Sequence, residues 1–200
     1  MRDGFMTHAS GRSTIRAALA MALLGVAACS GPQQLHGVMV DPPRDIGVFS
    51  FIMPDGTTLT APNAGHPTVV FFGYTHCPDV CPTTLADWAR AKKKLGAHAA
   101  GVQFLFVTID PERDTPAIAD RYAKQFDASF AGVRGDSATT NRLMNAFQVS
   151  AARDPSADIA NYTVSHSAQA FLVDARGKVV AMYPLGIGWE ALAADIETLR

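Results

Sequence analysis

Runs of apolar residues with two different periods alternate along this chain, and the changes of period mark out its elements. Val48–Met53 and Thr57–Ala61 flank Pro54-Asp55-Gly56, which predicts a hairpin. Thr68–Tyr74 (TVVFFGY) is continuously apolar and rich in Val and Phe, the pattern of a strand buried on both faces. Thr83–Leu95 places Leu85, Trp88, Ala89 and Leu95 on one helical face, with Gly96 as its stop. Gln103–Ile109 (QFLFVTI) predicts a second buried strand. Thr115 then reads as an N-cap, with Pro116 in the first helical position and Ile118, Tyr122 and Phe126 as the apolar stripe. Ser137 is expected to cap another helix that turns Leu143, Met144 and Phe147 inward. Ser150–Tyr162 is polar and has no period, so it reads as an excursion. Ala168–Val173 and Lys178–Tyr183 flank Asp174-Ala175-Arg176-Gly177, an antiparallel hairpin. Trp189, Leu192, Ile196 and Leu199 make the last helix amphipathic.

Two buried strands separated by a helix imply a parallel βαβ unit. A closing hairpin adds antiparallel strands to the same sheet. The expected class is α/β, a mixed sheet flanked by helices, and the element order is similar to a thioredoxin-like fold.

The start of the chain does not share this patterning. Arg2, Arg12 and Arg16 precede the apolar run Ala17–Ala28, which is short for a membrane-spanning helix and suits the centre of a secretory signal. It ends in Val26-Ala27-Ala28-Cys29, which resembles the lipobox of bacterial lipoproteins, where the cysteine becomes the lipid-modified first residue. The expected organisation is a signal peptide over 1–28, a flexible tether over 29–45 rich in Gly and Pro, and one domain over 46–200. The mature protein would then sit at an extracytoplasmic, periplasmic membrane face, held by lipid at Cys29.

Composition narrows the function classes. The chain of 200 residues carries 17 Lys+Arg and 18 Asp+Glu, net charge -1, and is 48% hydrophobic. This near-neutral balance excludes a nucleic-acid binder that depends on bulk positive charge. Three cysteines are too few for a disulfide scaffold. Lipid attachment at Cys29 accounts for the odd one.

The other two lie in Gly73-Tyr74-Thr75-His76-Cys77-Pro78-Asp79-Val80-Cys81-Pro82, where a buried strand hands over to a helix. Sites in α/β sheets form at such strand ends, and a helix N-terminus favours thiolate, so lowered thiol pKa values are expected. Four-residue spacing lets the sulfurs share one face, where they can close a disulfide or hold one soft ion. Structural zinc requires four ligands, and no second cysteine pair exists. Thiolates select Cu(I), whereas Cu(II) wants nitrogen as well, so the six histidines matter. His8 leaves with the signal, His36 falls in the tether, His66 precedes Pro67 in a turn, and His98 follows a helix stop. His76 adjoins Cys77 but is expected to point away from it. His166 immediately precedes a predicted strand and, in a thioredoxin-like layout, can approach Cys77 and Cys81. Geometry alone leaves its role open between ligand and polar loop residue.

Three segments together resemble the Sco/SenC family of copper-binding proteins: His76–Pro82, Thr108-Ile109-Asp110-Pro111-Glu112-Arg113-Asp114-Thr115-Pro116, and Val164-Ser165-His166-Ser167. The resemblance covers roughly Phe49–Arg200. It implies a thioredoxin-like domain outside the cytoplasm that takes part in assembling the dinuclear copper centre of cytochrome c oxidase. It also implies one copper ion per chain, Cu(I) or Cu(II), on Cys77, Cys81 and His166. Expected partners are the copper-receiving oxidase subunit and another periplasmic copper chaperone or thioredoxin-like reductant. Members are often tethered by a transmembrane helix; here the tether looks like lipid. Asp110 and Asp114 are expected to organise the turn after the second buried strand and cap the next helix, with a supporting or docking role as the alternative.

Several activities compete for the cysteine pair. A metallochaperone need turn over no substrate. A thiol-disulfide oxidoreductase would reduce a partner's copper-site cysteines, and a redox sensor would use the same disulfide. A peroxiredoxin-type peroxidase is a further reading. CxxxC spacing, rather than CxxC, weighs against the enzymes.

Overall fold

The computed structural model describes Met1, residues 34–154, Asp158 and residues 162–199. The expected signal peptide with His8, and Cys29, lie outside the described residues.

The strands are β1 (Val38–Asp45), β2 (Phe49–Ile52), β3 (Thr58–Ala61), β4 (Thr68–Gly73), β5 (Gln103–Thr108), β6 (Ala131–Val133), β7 (Ala151–Arg153), β8 (Val164–His166), β9 (Ala170–Val173) and β10 (Lys178–Tyr183). The helices are α1 (Val80–Leu95), α2 (Pro116–Lys124), α3 (Ser137–Phe147) and α4 (Trp189–Thr198). One six-stranded sheet runs β1-β10-β9-β4-β5-β6. β4, β5 and β6 are parallel, and β9, β10 and β1 join antiparallel. This is the expected mixed sheet flanked by helices. β2 and β3 form the expected hairpin as a separate two-stranded sheet, and β7 and β8 form another.

β4 is central and buried at every position. Successive side chains leave opposite faces. Phe71 therefore meets Trp88 of α1 on one side, with ring centroids 6.3 Å apart, while Phe72 meets Phe147 of α3 on the other at 5.2 Å. Phe104 and Phe106 of β5 share the Phe71 face and pack on Trp88 and Tyr122. The core thus has two layers, each dominated by aromatic rings.

Several expectations change. The tether ends earlier than residue 45, because β1 pairs with β10 along the sheet edge. Pro42 and Pro43 hid it. An edge strand tolerates residues without an N–H, and the register shifts between Met39 and Arg44, where they fall. His36 is not loose either. Its N–H and that of Gly37 donate to the buried Asp195 carboxylate, as does Tyr183 Oη, and His36 Nδ1 lies 2.7 Å from Oδ1. α1 begins at Val80 rather than Thr83, since Pro82 sits in the first turn, where its missing N–H would have no partner. The cap of α3 is Asp136, whose Oδ1 accepts from Thr139 N–H at 2.6 Å, and Ser137 is the first helical residue. β6 was not foreseen. It is short, and Gly132 lets the backbone of α2 come so close that a Cβ would lie 1.9 Å from the Ala119 carbonyl oxygen. Among the described residues, no helix is long and apolar enough to cross a membrane.

Candidate metal centre

β4 delivers the chain to the end of the sheet at Gly73. The link from Tyr74 to Asp79 folds back through a Cys77 N–H bond to the Tyr74 carbonyl at 3.2 Å. α1 then starts, so Cys81 lies in its first turn, fully buried, while Cys77 lies before it, half-buried. The Cys81 sulfur rests against the backbone of Gly73, where a Cβ would be only 2.7 Å away. Both cysteines are free thiols, and Cys81 N–H points at Cys77 Sγ across 3.5 Å.

His166 arrives from a different part of the chain. It ends β8, which pairs with β7 alone, so the loop residue expected before a strand belongs to a small hairpin sheet. Its Nε2 is 4.0 Å from Cys81 Sγ. Its Nδ1 lies 3.0 Å from the Ser167 carbonyl oxygen. A carbonyl only accepts, so Nδ1 carries the proton and Nε2 turns its lone pair toward the sulfurs. The ring is edged by Phe71 and Tyr74, each at 6.0 Å between centroids. Burial lowers the His166 pKa against the opposing pull of the Ser167 carbonyl, which keeps the ring in its neutral, ligating form. On its other side an open crevice of about 350 Å³, lined by Ser150–Ala152 and Ser165–Ser167, reaches solvent.

Ligand atoms of Cys77, Cys81 and His166 all lie within 4.8 Å of one another, the one such cluster found among the described residues. Two sulfurs and an imidazole nitrogen at this spacing suit a soft or borderline ion. The remaining histidines among the described residues are held elsewhere. His76 is half-exposed and turns Nδ1 toward Thr75 Oγ1 (3.2 Å) and Asp114 (3.8 Å), away from the sulfurs as expected. His66 packs over Gly101, and His98 faces Glu197 at 4.0 Å. One expectation fails: burial pushes the Cys81 thiol up, and the adjacent Cys77 adds to it, so the helix N-terminus does not prevail there.

Asp110 and Asp114 do organise the turn after β5, but the cap of α2 is Thr115, whose hydroxyl accepts from Ile118 N–H. Asp114 is fully buried and accepts from Thr75 N–H (2.9 Å), Thr75 Oγ1 (2.5 Å) and Thr108 Oγ1 (2.6 Å). It therefore holds the link two residues ahead of Cys77. Asp110 accepts from Arg113 Nε at 2.6 Å and from the Tyr162 hydroxyl. Gly73 and Thr75 lie within the segment the sequence points to, without a role of their own there, and Tyr162 was not singled out; it stands four residues before His166.

The family description SCO1/SenC matches residues 32–200. The chain belongs to the SCO1/SenC family. An SCO2-like protein of Rickettsia felis is 33% identical over 141 residues, 70% of this chain and 69% of that protein. Among solved structures, copper-bound ScoI of Bradyrhizobium japonicum shares 37% identity with a TM-score of 0.69, over 77% of this chain and 98% of that one. Apo Sco1 of Thermus thermophilus shares 33% with a TM-score of 0.74, over 85% and 100%. The SCO1/SenC match takes in Cys77, Cys81 and His166 and begins after Cys29. Its fold is the thioredoxin-like one read from the element order.

Proposed function

We propose that this protein is a copper metallochaperone, tethered at an extracytoplasmic membrane face through Cys29, that serves the dinuclear copper centre of cytochrome c oxidase. The observation that carries the copper reading is the convergence of two free thiols with an imidazole whose tautomer is already set for ligation. Copper bound by the ScoI relative supports the choice of ion. Cu(I) is satisfied by Cys77 and Cys81, and His166 adds the nitrogen that Cu(II) requires. Copper is cargo in this scheme: one ion is held, shielded on the Cys81 side and open on the Cys77 side, and passed to the thiols of an oxidase subunit. The oxidase partner follows from the motif resemblance and family membership, the lipid tether from the sequence before residue 30.

A second reading rests on the unequal burial of the sulfurs. Half-buried Cys77 is placed to attack a partner disulfide and Cys81 to resolve the mixed disulfide. The partner gains two thiols as Cys77 and Cys81 become a disulfide, so two electrons leave this chain.

The test separates the two. Reduced protein loaded with one copper, and reduced metal-free protein, are each mixed with the soluble copper-binding domain of an oxidase subunit in its oxidised and reduced forms. Metallochaperone action predicts copper appearing on the reduced acceptor with the thiol count of each protein, measured separately, unchanged. Thiol transfer without copper transfer would replace the first reading with the second.

A further inference from the structure

The segment Asp110–Asp114 makes no hydrogen bond to the three ligands, yet both halves of the centre hang from it. Toward the cysteines, the buried Asp114 holds Thr75 by its N–H and hydroxyl. Toward the histidine, the contacts converge on Tyr162. Its hydroxyl donates to Asp110, and its carbonyl accepts from Arg113 Nη1 at 3.0 Å. Its ring carries the Arg113 guanidinium at 3.6 Å and the Arg153 guanidinium at 4.2 Å from the centroid. Arg153 in turn reaches Glu112 Oε2 at 2.7 Å. In the β7–β8 register Arg153 stands opposite Val164, and His166 opposite Ala151. Arg113 also lies 5.8 Å over Tyr74, the ring that edges His166.

We infer that Asp110, Arg113 and Tyr162 form a brace that positions His166 against Cys77 and Cys81. The reasoning is mechanical. β8 has no partner in the main sheet, so main-sheet hydrogen bonding does not locate His166. The ties from the β7–β8 hairpin to the β5–α2 turn do so instead, and Asp114 makes that turn the reference for the cysteine link as well. Tyr162 is 3% exposed and the Arg113 side chain 10%, so these hydrogen bonds and cation–π contacts are screened less than surface pairs. Burial, with the Asp110 hydrogen bond, pushes the Tyr162 hydroxyl up to about 12, which keeps it a donor at neutral pH. Arg153 and Glu112 are more exposed and contribute as the outer part of the brace. The brace is a positioning device that acts through His166, and its effect on copper rests on the metallochaperone reading.

The consequence is selective. Loosening the brace frees His166 and leaves the two thiols in place, so Cu(II) suffers and Cu(I) does not. The variants are Tyr162→Phe, which deletes one hydroxyl and keeps the ring between the guanidiniums, and Asp110→Asn, which removes the charge that Arg113 and Tyr162 share. Full-length wild type and variants are compared without metal by NMR, following nuclear Overhauser contacts from the His166 ring to Phe71 and Tyr74. Affinities for Cu(I) and Cu(II) are then measured by chelator competition. The brace predicts weakened His166 contacts in both variants, a ten- to hundredfold loss for Cu(II) of the kind seen when partners of a ligating His are removed, and less than about threefold change for Cu(I). Wild-type His166 contacts in both variants overturn it, as does an equal loss for both ions. Failure of the wild type to bind either ion would remove the metallochaperone reading, and the metal-free NMR comparison would still decide the brace.

Discussion

The absent side chain at Gly73 gives the sharpest test of how the centre is built. Gly73→Ala places a methyl group 2.7 Å from Cys81 Sγ and 2.9 Å from the edges of Phe71 and Phe106. Ordinary contact between nonbonded heavy atoms is about 3.5–4.0 Å, so the sulfur must retreat by roughly 1 Å. The two rings cannot absorb the clash, because both are fully buried in the core. Metal–ligand distances are held within about 0.2 Å, so a sulfur displaced by 1 Å leaves the centre. Overpacking of this kind also costs about 1–3 kcal/mol, or about 2–12 °C of melting temperature for a domain of this size. The assay pairs thermal melting with chelator competition for Cu(I) and Cu(II) and the thiolate-to-Cu(II) absorption spectrum. Both affinities are expected to fall more than tenfold, because Cys81 serves both ions. Leu143→Ala in α3 is the control: it is buried on the opposite side of the sheet, should cost about 2–5 kcal/mol, and should leave the spectrum of the folded protein unchanged. A Gly73→Ala protein with wild-type spectrum and affinities would refute the reasoning.

Cys77→Ser and Cys81→Ser should each abolish tight copper binding, and so should oxidation of the pair; stoichiometric binding by the double serine variant would place the site elsewhere. His166→Ala should weaken Cu(II) by more than tenfold and change the thiolate-to-copper bands while largely sparing Cu(I), read by the same competition assay. Burial raises the Asp195 carboxyl pKa, but the His36 N–H, Tyr183 hydroxyl, Gly37 N–H and His36 ring together outweigh it and hold the group below the ordinary value of 3.8. Its stabilising contribution is therefore complete above that value and is lost as pH falls through the lower, folded-state value; Asp195→Asn should flatten that part of the melting-temperature profile, and an identical acid profile would exclude the linkage. Labelled fatty acid should be incorporated into the wild type and not into Cys29→Ser, and equal labelling would remove the lipid tether.

What could be read from the sequence follows from which interactions are local. β4 and β5 were legible because both of their faces are buried, and a strand in that setting must be continuously apolar. α2 was legible because Thr115-Pro116 is a cap and an N1 residue in succession. β1 was not, because an edge strand that carries Pro42 and Pro43 has almost no buried face to leave a pattern. β7 and β8 were read as parts of an excursion and a loop for a related reason. Each is three residues long, and they pair only with one another, so no apolar alternation is imposed on them. The cysteines announced themselves by spacing. His166 did not, and its assignment leaned on the family resemblance until the fold brought its Nε2 to 4.0 Å from Cys81 Sγ.

The two thiols and the imidazole also differ in how the fold commits to them. Cys81 is held by the core: the first turn of α1 carries it and Gly73 admits its sulfur. Cys77 is held by a link tied to Asp114 through Thr75. His166 stands on a hairpin outside the main sheet, within reach of an open crevice. Burial therefore sets Cys81 apart from Cys77 and His166, which are both half-buried. On the metallochaperone reading, an acceptor would replace the half-buried donors first and the buried Cys81 sulfur last. Such a sequence would suit transfer of Cu(I), which needs only two sulfur donors at any moment. It would serve a permanent cofactor poorly, because a resident ion is best held by ligands that are all equally fixed.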